Sequence, residues 1–328
     1  MTPLHRSEQA WIEHIRALWG RSRADVGPGD DACVLAPARR AVSTDILVEG
    51  VDFELDWAPP AAVGYKALAS NLSDLAAMGA TPDGLLLTLG WPETLEDAYV
   101  EGLLEGIRGL ALHEGVDLLG GDLTRAPRLL VAVTIFGLQE HPPLLRSGGK
   151  PGDLLYVSGT LGGPAAALER FQSGDRLIAF DAAGPSAQGG QGVLDRFFRP
   201  PSQTAMGLFL AERGLATCCM DVSDGLARDL RRVCESSRCG AEVEEAKVPL
   251  DRALAEAPRH AATATALRGG EEQILLFAVD PGRVNELEGA PGPVHPLGHL
   301  QGEGGLWILR EGGRREALAE PGYDHFLA

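Results

Sequence analysis

Asn71–Ala80, NLSDLAAMGA, sets a single carboxylate, Asp74, in a stretch that is otherwise almost wholly apolar. Leu68, Leu72, Leu75 and Gly79 recur at helical spacing and define one face, from which Asp74 lies about 120° away at 3.6 residues per turn. The pattern predicts a packed helix over Ala61–Met78, opened after Pro59 and Pro60, capped by Gly79 and stopped by Pro82, with Asp74 pointing out of the core. Strand and helix patterns alternate outward from it. AVSTDILVEGVDF (Ala41–Phe53) reads as a strand rich in β-branched residues that ends on Ser43, Thr44 and Asp45. LLLTLGW (Leu85–Trp91) reads as a buried strand and Leu95–Glu114 as an amphipathic helix. In VDLLGGDLTRAPRLLVAVTIFGL, Gly120, Gly121 and Asp122 fall at an expected break between two strands.

A Pro- and Gly-rich joint, EHPPLLRSGGKPG (Glu140–Gly152), divides the chain into expected domains 1–140 and 150–328 and carries Arg146 and Lys150. Beyond it, DLLYVSG (Asp153–Gly159) is a strand, and Pro164–Phe171 begins a helix. Gly174–Gly192 reads as a long loop or partly mobile lid. Ser202–Arg213 is helical, and ATCCMDVSDGLARDL runs from a strand ending at Asp221 into a helix opening at Gly225. Gly269–Asp280 is a glycine turn and a strand. The expected class is α/β, with mixed sheets in two domains.

A length of 328 residues suits two domains, each with its own core. A net charge of −17 argues against nucleic acid or an anionic membrane as the main partner and fits divalent cations better. Met1–Gly20 reads as an amphipathic helix rather than a signal peptide, and no run approaches the roughly 20 apolar residues of a membrane span. Five cysteines without a C-x-x-C pattern suggest reduced thiols and a cytoplasmic protein.

Asp30, Asp31, Asp45, Asp74, Asp122, Asp221 and Asp224 stand at element ends beside Gly, Ser and Thr. Were they to converge, each pair at 4 Å would repel by about 4 kcal/mol at an effective dielectric near 20, which calls for cations. Hard oxygens with nearby hydroxyls suit Mg²⁺ and polyphosphate. Spacing alone fits unrelated caps and turns as well, because Asp and Ser are favoured there. GTLGGPAAAL (Gly159–Leu168) lacks the Lys-Ser/Thr of a P-loop; phosphate cradling and close helix packing explain its glycines equally well.

Eight stretches occur together in a fixed order: GDDACVL, STDILVEGVDF, GYKALASNLSDLAAMGA, GGDLTRAP, RSGGKPGDLLYVSGTLGG, MDVSDGLARDL, GGEEQILLF and PGYDHF. In this the chain resembles the thiamine-monophosphate kinases, members of the superfamily named after aminoimidazole ribonucleotide synthetase. The resemblance implies an N-terminal α/β domain that dimerises through its sheet, a C-terminal α/β domain, and ATP bound between them. It implies Mg²⁺ ligation by Asp31, Ser43, Thr44, Asp45, Asp74, Asp122, Asp221 and Asp224, with Asp74, Asp122, Asp224 and Arg146 doing the catalytic work. ATP would meet Gly121, Asp122, Arg146 and Ser223, and thiamine monophosphate would face Asp52, Glu271 and Tyr323. The implied reaction is in-line transfer of the γ-phosphoryl group of ATP to thiamine monophosphate, in a cytoplasmic homodimer.

Three motifs depart from the family pattern. Asp52 replaces the His of GVHF, GGEEQIL replaces GGEDYEL, and Leu123 stands in GGDTT. The changes fall mostly where substrate is expected. They keep two other readings in play: an ATP-using relative with another acceptor, such as a formyl amide or selenide, and a catalytically weakened ATP-binding regulator.

Overall fold

The computed structural model describes residues 14, 17, 18, 20, 40–181, 192–302 and 304–318. Asp30, Asp31, Cys33, Tyr323 and the PGYDHF motif lie outside the described residues, as do most of Met1–Gly20 and residues 182–191. The chain separates into two compact units. One comprises Met1–Leu75, Thr81–Leu138 and Asp175–Pro185, and the other Ala76–Ala80, Gln139–Gly174 and Ser186–Ala328. The fold is mixed α/β, and none of the described helices is long and apolar enough to cross a membrane.

The first unit holds β1 (Arg40–Val48), all but the last turn of α1 (Pro60–Met78), β2 (Thr81–Trp91), α2 (Asp97–Glu114), β3 (Asp117–Arg125) and β4 (Leu130–Leu138). The sheet order is β1-β4-β2-β3, with β2 and β3 parallel and the other pairs antiparallel. Period-2 alternation sends Val131, Val133 and Ile135 of β4 and Leu85, Leu87 and Leu89 of β2 into the core. Helix α1 starts with Pro60 in its first turn, where the missing N–H costs nothing. Its residues from Ala62 on are buried on nearly every side, Asp74 and Met78 being half-buried exceptions. Two glycines let α1 and α2 approach backbone to backbone: a Cβ on Gly64 would stand 2.0 Å from the Leu103 carbonyl oxygen, and one on Gly106 would stand 2.0 Å from that of Ala61.

Three sequence expectations change here. Ser43, Thr44 and Asp45 lie in the middle of β1, which continues to Val48 because β4 pairs with it along that whole length. Gly120 and Gly121 do not break a strand but sit inside β3, where the ladder with β2 absorbs a register shift. Pro82 does not merely stop α1; it is the second residue of β2, beside an irregularity in the ladder with β4.

The second unit holds β5 (Leu154–Val157), α3 (Gly163–Gln172), α4 (Asp195–Phe198), α5 (Thr204–Glu212), β6 (Ala216–Val222), α6 (Leu226–Ser237), β7 (Gly240–Glu244), α7 (Arg259–Arg268), β8 (Ile274–Val279), β9 (His295–Gln301), β10 (Leu306–Leu309) and β11 (Arg315–Ala317). Its seven-stranded sheet runs β11-β10-β7-β9-β5-β8-β6. Every residue of β8 is buried, as a strand covered on both faces requires. Ile274, Leu276 and Ala278 join the core that includes Leu226, Leu230 and Val233 of α6. Leu275, Phe277 and Val279 join the one that includes Met206 and Leu210 of α5. Cys218, Cys219, Cys234 and Cys239 are buried free thiols, and burial pushes Cys218 up to about 12.

Candidate active site

In the first unit the candidate residues come from β1, α1 and β3. Ser43 and Asp45 share the face of β1 that pairs with buried Ile135 and Val133, and Ser43 Oγ donates to Asp74 Oδ2 at 2.5 Å. The helix therefore turns its half-buried carboxylate toward the strand that carries Ser43 and, two residues on, Asp45. Asp45 is exposed, and its Oδ1 accepts from the Ile46 amide at 2.9 Å. Thr44 belongs to the opposite face: its Oγ1 meets Thr134 Oγ1 at 3.0 Å and donates to the Val133 carbonyl at 3.2 Å. The expected Thr44 hydroxyl is thus not gathered with Asp74. Asp52, beyond the end of β1, accepts from the Val48 amide at 2.7 Å, so one of its oxygens is turned back onto the strand.

Gly121 and Asp122 sit on β3, the far edge of this sheet. The register row Asp45, Val133, Leu87, Gly121 crosses all four strands, so Asp45 and Gly121 are about 14 Å apart at strand spacing. The fold does not bring Asp122 to the ion-binding reach of Asp45. A Cβ at Gly121 would lie 1.8 Å from the Leu87 carbonyl oxygen, so only glycine fits beside β2 there.

In the second unit, β6 delivers buried Asp221 to the point where Ser223, Asp224 and Gly225 lead into α6. The loop is held by Asp229, one turn into the helix and fully buried. Its Oδ2 accepts from the Ser223 amide at 3.0 Å and the Asp224 amide at 3.1 Å. Burial pushes the Asp229 carboxyl up to about 6 against the pull of Arg232, with Asp224 adding to the rise and the two amides opposing it. Arg232 spans the two acids, Nη2 to Asp224 Oδ2 at 2.5 Å and Nη1 to Asp229 Oδ1 at 2.8 Å. Arg146 is exposed, and its carbonyl accepts from Ser237 Oγ at the end of α6 at 3.1 Å.

The Glu271 amide donates to the Ser223 carbonyl at 2.7 Å, and the Gln273 amide to that of Val222 at 2.9 Å, so this arch is stitched to the acidic loop. Glu271 and Gln273 both have left-handed backbone, with φ of 67° and 51°, which is costly for non-glycine residues and persists where surroundings impose it. Between them Glu272 points inward, fully buried. Its Oε1 accepts from the Gly162 amide at the start of α3, and Arg196 Nη2 stands 3.9 Å from its Oε2. The glycine loop GTLGGPAAAL thus sets its Gly162 amide on a protein carboxyl group, an arrangement that neither the phosphate-cradle nor the helix-packing reading anticipated.

Asp229, Arg232 and Arg196 escaped sequence reasoning, and Glu272 was read only as part of the GGEEQIL departure. The first two carried a legible signal, since Asp229 and Arg232 stand three residues apart on one face of α6. Among the described residues no three His, Cys, Asp or Glu side chains converge to hold an ion alone. The donors offered are carboxylates and a hydroxyl, hard oxygens that fit Mg²⁺, an ion that takes one or two carboxylates and shares its shell with water and phosphate.

Residues 29–139 match the AIR synthase related protein, N-terminal domain, and residues 150–306 the C-terminal domain of the same name. Thiamine-monophosphate kinase of Escherichia coli (strain K12) is 39% identical over 329 residues, covering 96% of each chain. The enzyme of that name from Rhodopirellula baltica is 32% identical, covering 97% of each. Among solved structures, thiamine-monophosphate kinase from Stenotrophomonas maltophilia K279a superposes with a TM-score of 0.78 at 35% identity, covering 92% of this chain and 96% of that one. AaThiL complexed with AMPPCP and TMP gives 0.76 at 26% identity, covering 99% and 100%. The chain belongs to the AIR synthase related proteins and, among them, to the thiamine-monophosphate kinase family.

Proposed function

We propose that this protein passes the γ-phosphoryl group of ATP to the terminal phosphate oxygen of thiamine monophosphate, giving thiamine diphosphate and ADP. The observation that carries the reading is 39% identity to a thiamine-monophosphate kinase across 96% of both chains. The likeness to a relative complexed with AMPPCP and TMP supports a nucleotide and a phosphorylated acceptor as the two substrates. The acceptor is already an anionic phosphate and needs little base assistance. The obstacle is the approach of two polyanions to a chain of net charge −17. Magnesium ions, when bound, supply the charge neutralisation and align the transfer.

Asp74, Asp45 and Ser43 hold one part of that charge, with Asp31 and Asp122 beside the nucleotide. Asp221 and Asp224 hold another part, on a loop made rigid by Asp229. Thr44, whose hydroxyl is committed to Thr134 and the Val133 carbonyl, stays on the other face of the strand. Gly121 and Ser223 meet ATP, and Arg146, on an exposed loop, reaches a phosphate. Glu271, Tyr323 and Asp52 face thiamine monophosphate, with Glu271 held out by the strained arch. The domain reading of 1–140 and 150–328 stays as the functional division. The protein works in the cytoplasm as a homodimer joined through its four-stranded sheet.

A coupled ADP-release assay with Mg²⁺-ATP and thiamine monophosphate tests the reaction. Wild-type protein turns over, and Asp74→Asn loses at least a hundredfold in kcat while its melting temperature holds, because Asn still accepts the Ser43 hydroxyl. No ADP release, with ATP binding intact by calorimetry, favours the ATP-binding regulator instead. Full activity in Asp74→Asn removes that residue from the machinery.

A further inference from the structure

We infer that Arg232 is a resident counter-cation for the nucleotide-metal loop, occupying the outer oxygen of Asp224 until a divalent cation replaces it. The inference rests on the reading of Asp224 as a Mg²⁺ ligand and adds how that ligand is kept between turnovers. The geometry is specific. Arg232 binds Asp224 Oδ2 at 2.5 Å with one nitrogen and Asp229 Oδ1 at 2.8 Å with the other, so a single guanidinium bridges both acids. Asp229 has its second oxygen committed to the amides of Ser223 and Asp224, which fixes Arg232 from below. Arg228 stands 3.9 Å from the same Asp224 Oδ2, adding a second positive charge.

A dication arriving at Asp224 meets the positive charge of Arg232 already seated on Oδ2, and repulsion between the two cations makes metal binding compete with the Arg232 contact. Asp229 keeps hold of the guanidinium when that happens, and the arginine stays beside the site. The device holds the acidic loop in its binding shape without metal, and the metal has to compete with it. Two acids placed this close on one turn of chain call for a cation, and Arg232 provides it from the same helix.

Mn²⁺ binding, followed by the electron paramagnetic resonance signal of the free ion with a non-hydrolysable ATP analogue present, tests the inference alongside melting curves in EDTA. Arg232→Gln is expected to bind Mn²⁺ at least threefold tighter than wild type. In EDTA it should melt several degrees lower, with the difference closing as Mn²⁺ is added. Arg232→Lys keeps a charge at the position and is expected within twofold of wild type. Asp224→Asn should bind at least tenfold more weakly. If Asp224→Asn loses affinity but Arg232→Gln binds no tighter than wild type, the counter-cation role is overturned and the ligand reading stands. If Asp224→Asn binds as wild type does, the ligand reading itself fails and takes the inference with it.

Discussion

At Glu272 the cost of burying a carboxylate is balanced by very few contacts. One oxygen accepts from the Gly162 amide, the other has no hydrogen bond among the described residues, and Arg196, 3.9 Å away, also has Asp251 at 3.1 Å to neutralise. Burial therefore pushes the Glu272 carboxyl up to about 8, with Arg196 and the Gly162 amide pulling it down and Asp251 adding to the rise. An unfolded glutamate titrates near 4.5. Between these values the folded protein keeps a proton that the unfolded chain has lost. The stability it brings is complete below about pH 4.5 and is lost as pH rises through about 8, at about 1.4 kcal/mol per unit of difference, or a few kcal/mol in all. Glu272→Gln keeps an acceptor for Gly162 and removes the titration. Urea unfolding from pH 5 to 9 should show wild type falling relative to this variant by a few kcal/mol; a difference that does not change with pH would mean that Glu272 does not titrate in this range.

The α1–α2 pair shows how an element carries a site. Asp74 is held against Ser43 only while α1 lies at the depth that Gly64 and Gly106 permit, because at both positions a Cβ would fall 2.0 Å from a carbonyl of the other helix. Gly106→Ala gains up to about 1 kcal/mol of helix propensity but forces the helices apart, and overpacking of this kind costs about 1–3 kcal/mol. We expect a net loss of about 1–2 kcal/mol in urea unfolding together with reduced kcat; a variant as stable and active as wild type would refute the close crossing. The helix itself was legible from the apolar repeat around Asp74, and so was the strand after GGEEQ, because local pattern decides both. The position of Ser43–Asp45 inside β1 was not legible, since pairing with β4 over nine residues decides where that strand ends. Nor was the tie between Glu272, Gly162 and Arg196, whose partners are far apart in sequence and meet only through tertiary packing. The metal-ligand candidates were readable as motifs; the opposite facing of Ser43 and Thr44 needed the register.

The charge of the whole molecule bears on its assembly. Two chains of net charge −17 repel, so a stable pair needs an apolar contact free of like charges. On the face of the four-stranded sheet turned away from Ser43 and Asp45, the part formed by β1 and β4 has that character, while Asp122 stands on the same face at the β3 edge. Val42 and Ile46 are 57% and 49% exposed, and the register sets Phe136 and Ala132 of β4 opposite them, with Leu86 of β2 two strands away. Thr44 and Thr134 complete the row through the hydroxyl contact already described. A half-exposed apolar patch of this kind on β1 and β4 suits a two-fold contact in which each copy covers the same patch of the other. Sedimentation at micromolar concentration should give twice the chain mass for wild type. Ile46→Asp places one new carboxylate from each copy on the shared surface and should sediment as a single chain while keeping its far-ultraviolet circular dichroism. A wild-type protein that sediments as one chain would overturn the homodimer, and an Ile46→Asp variant that stays paired would move the contact to another face.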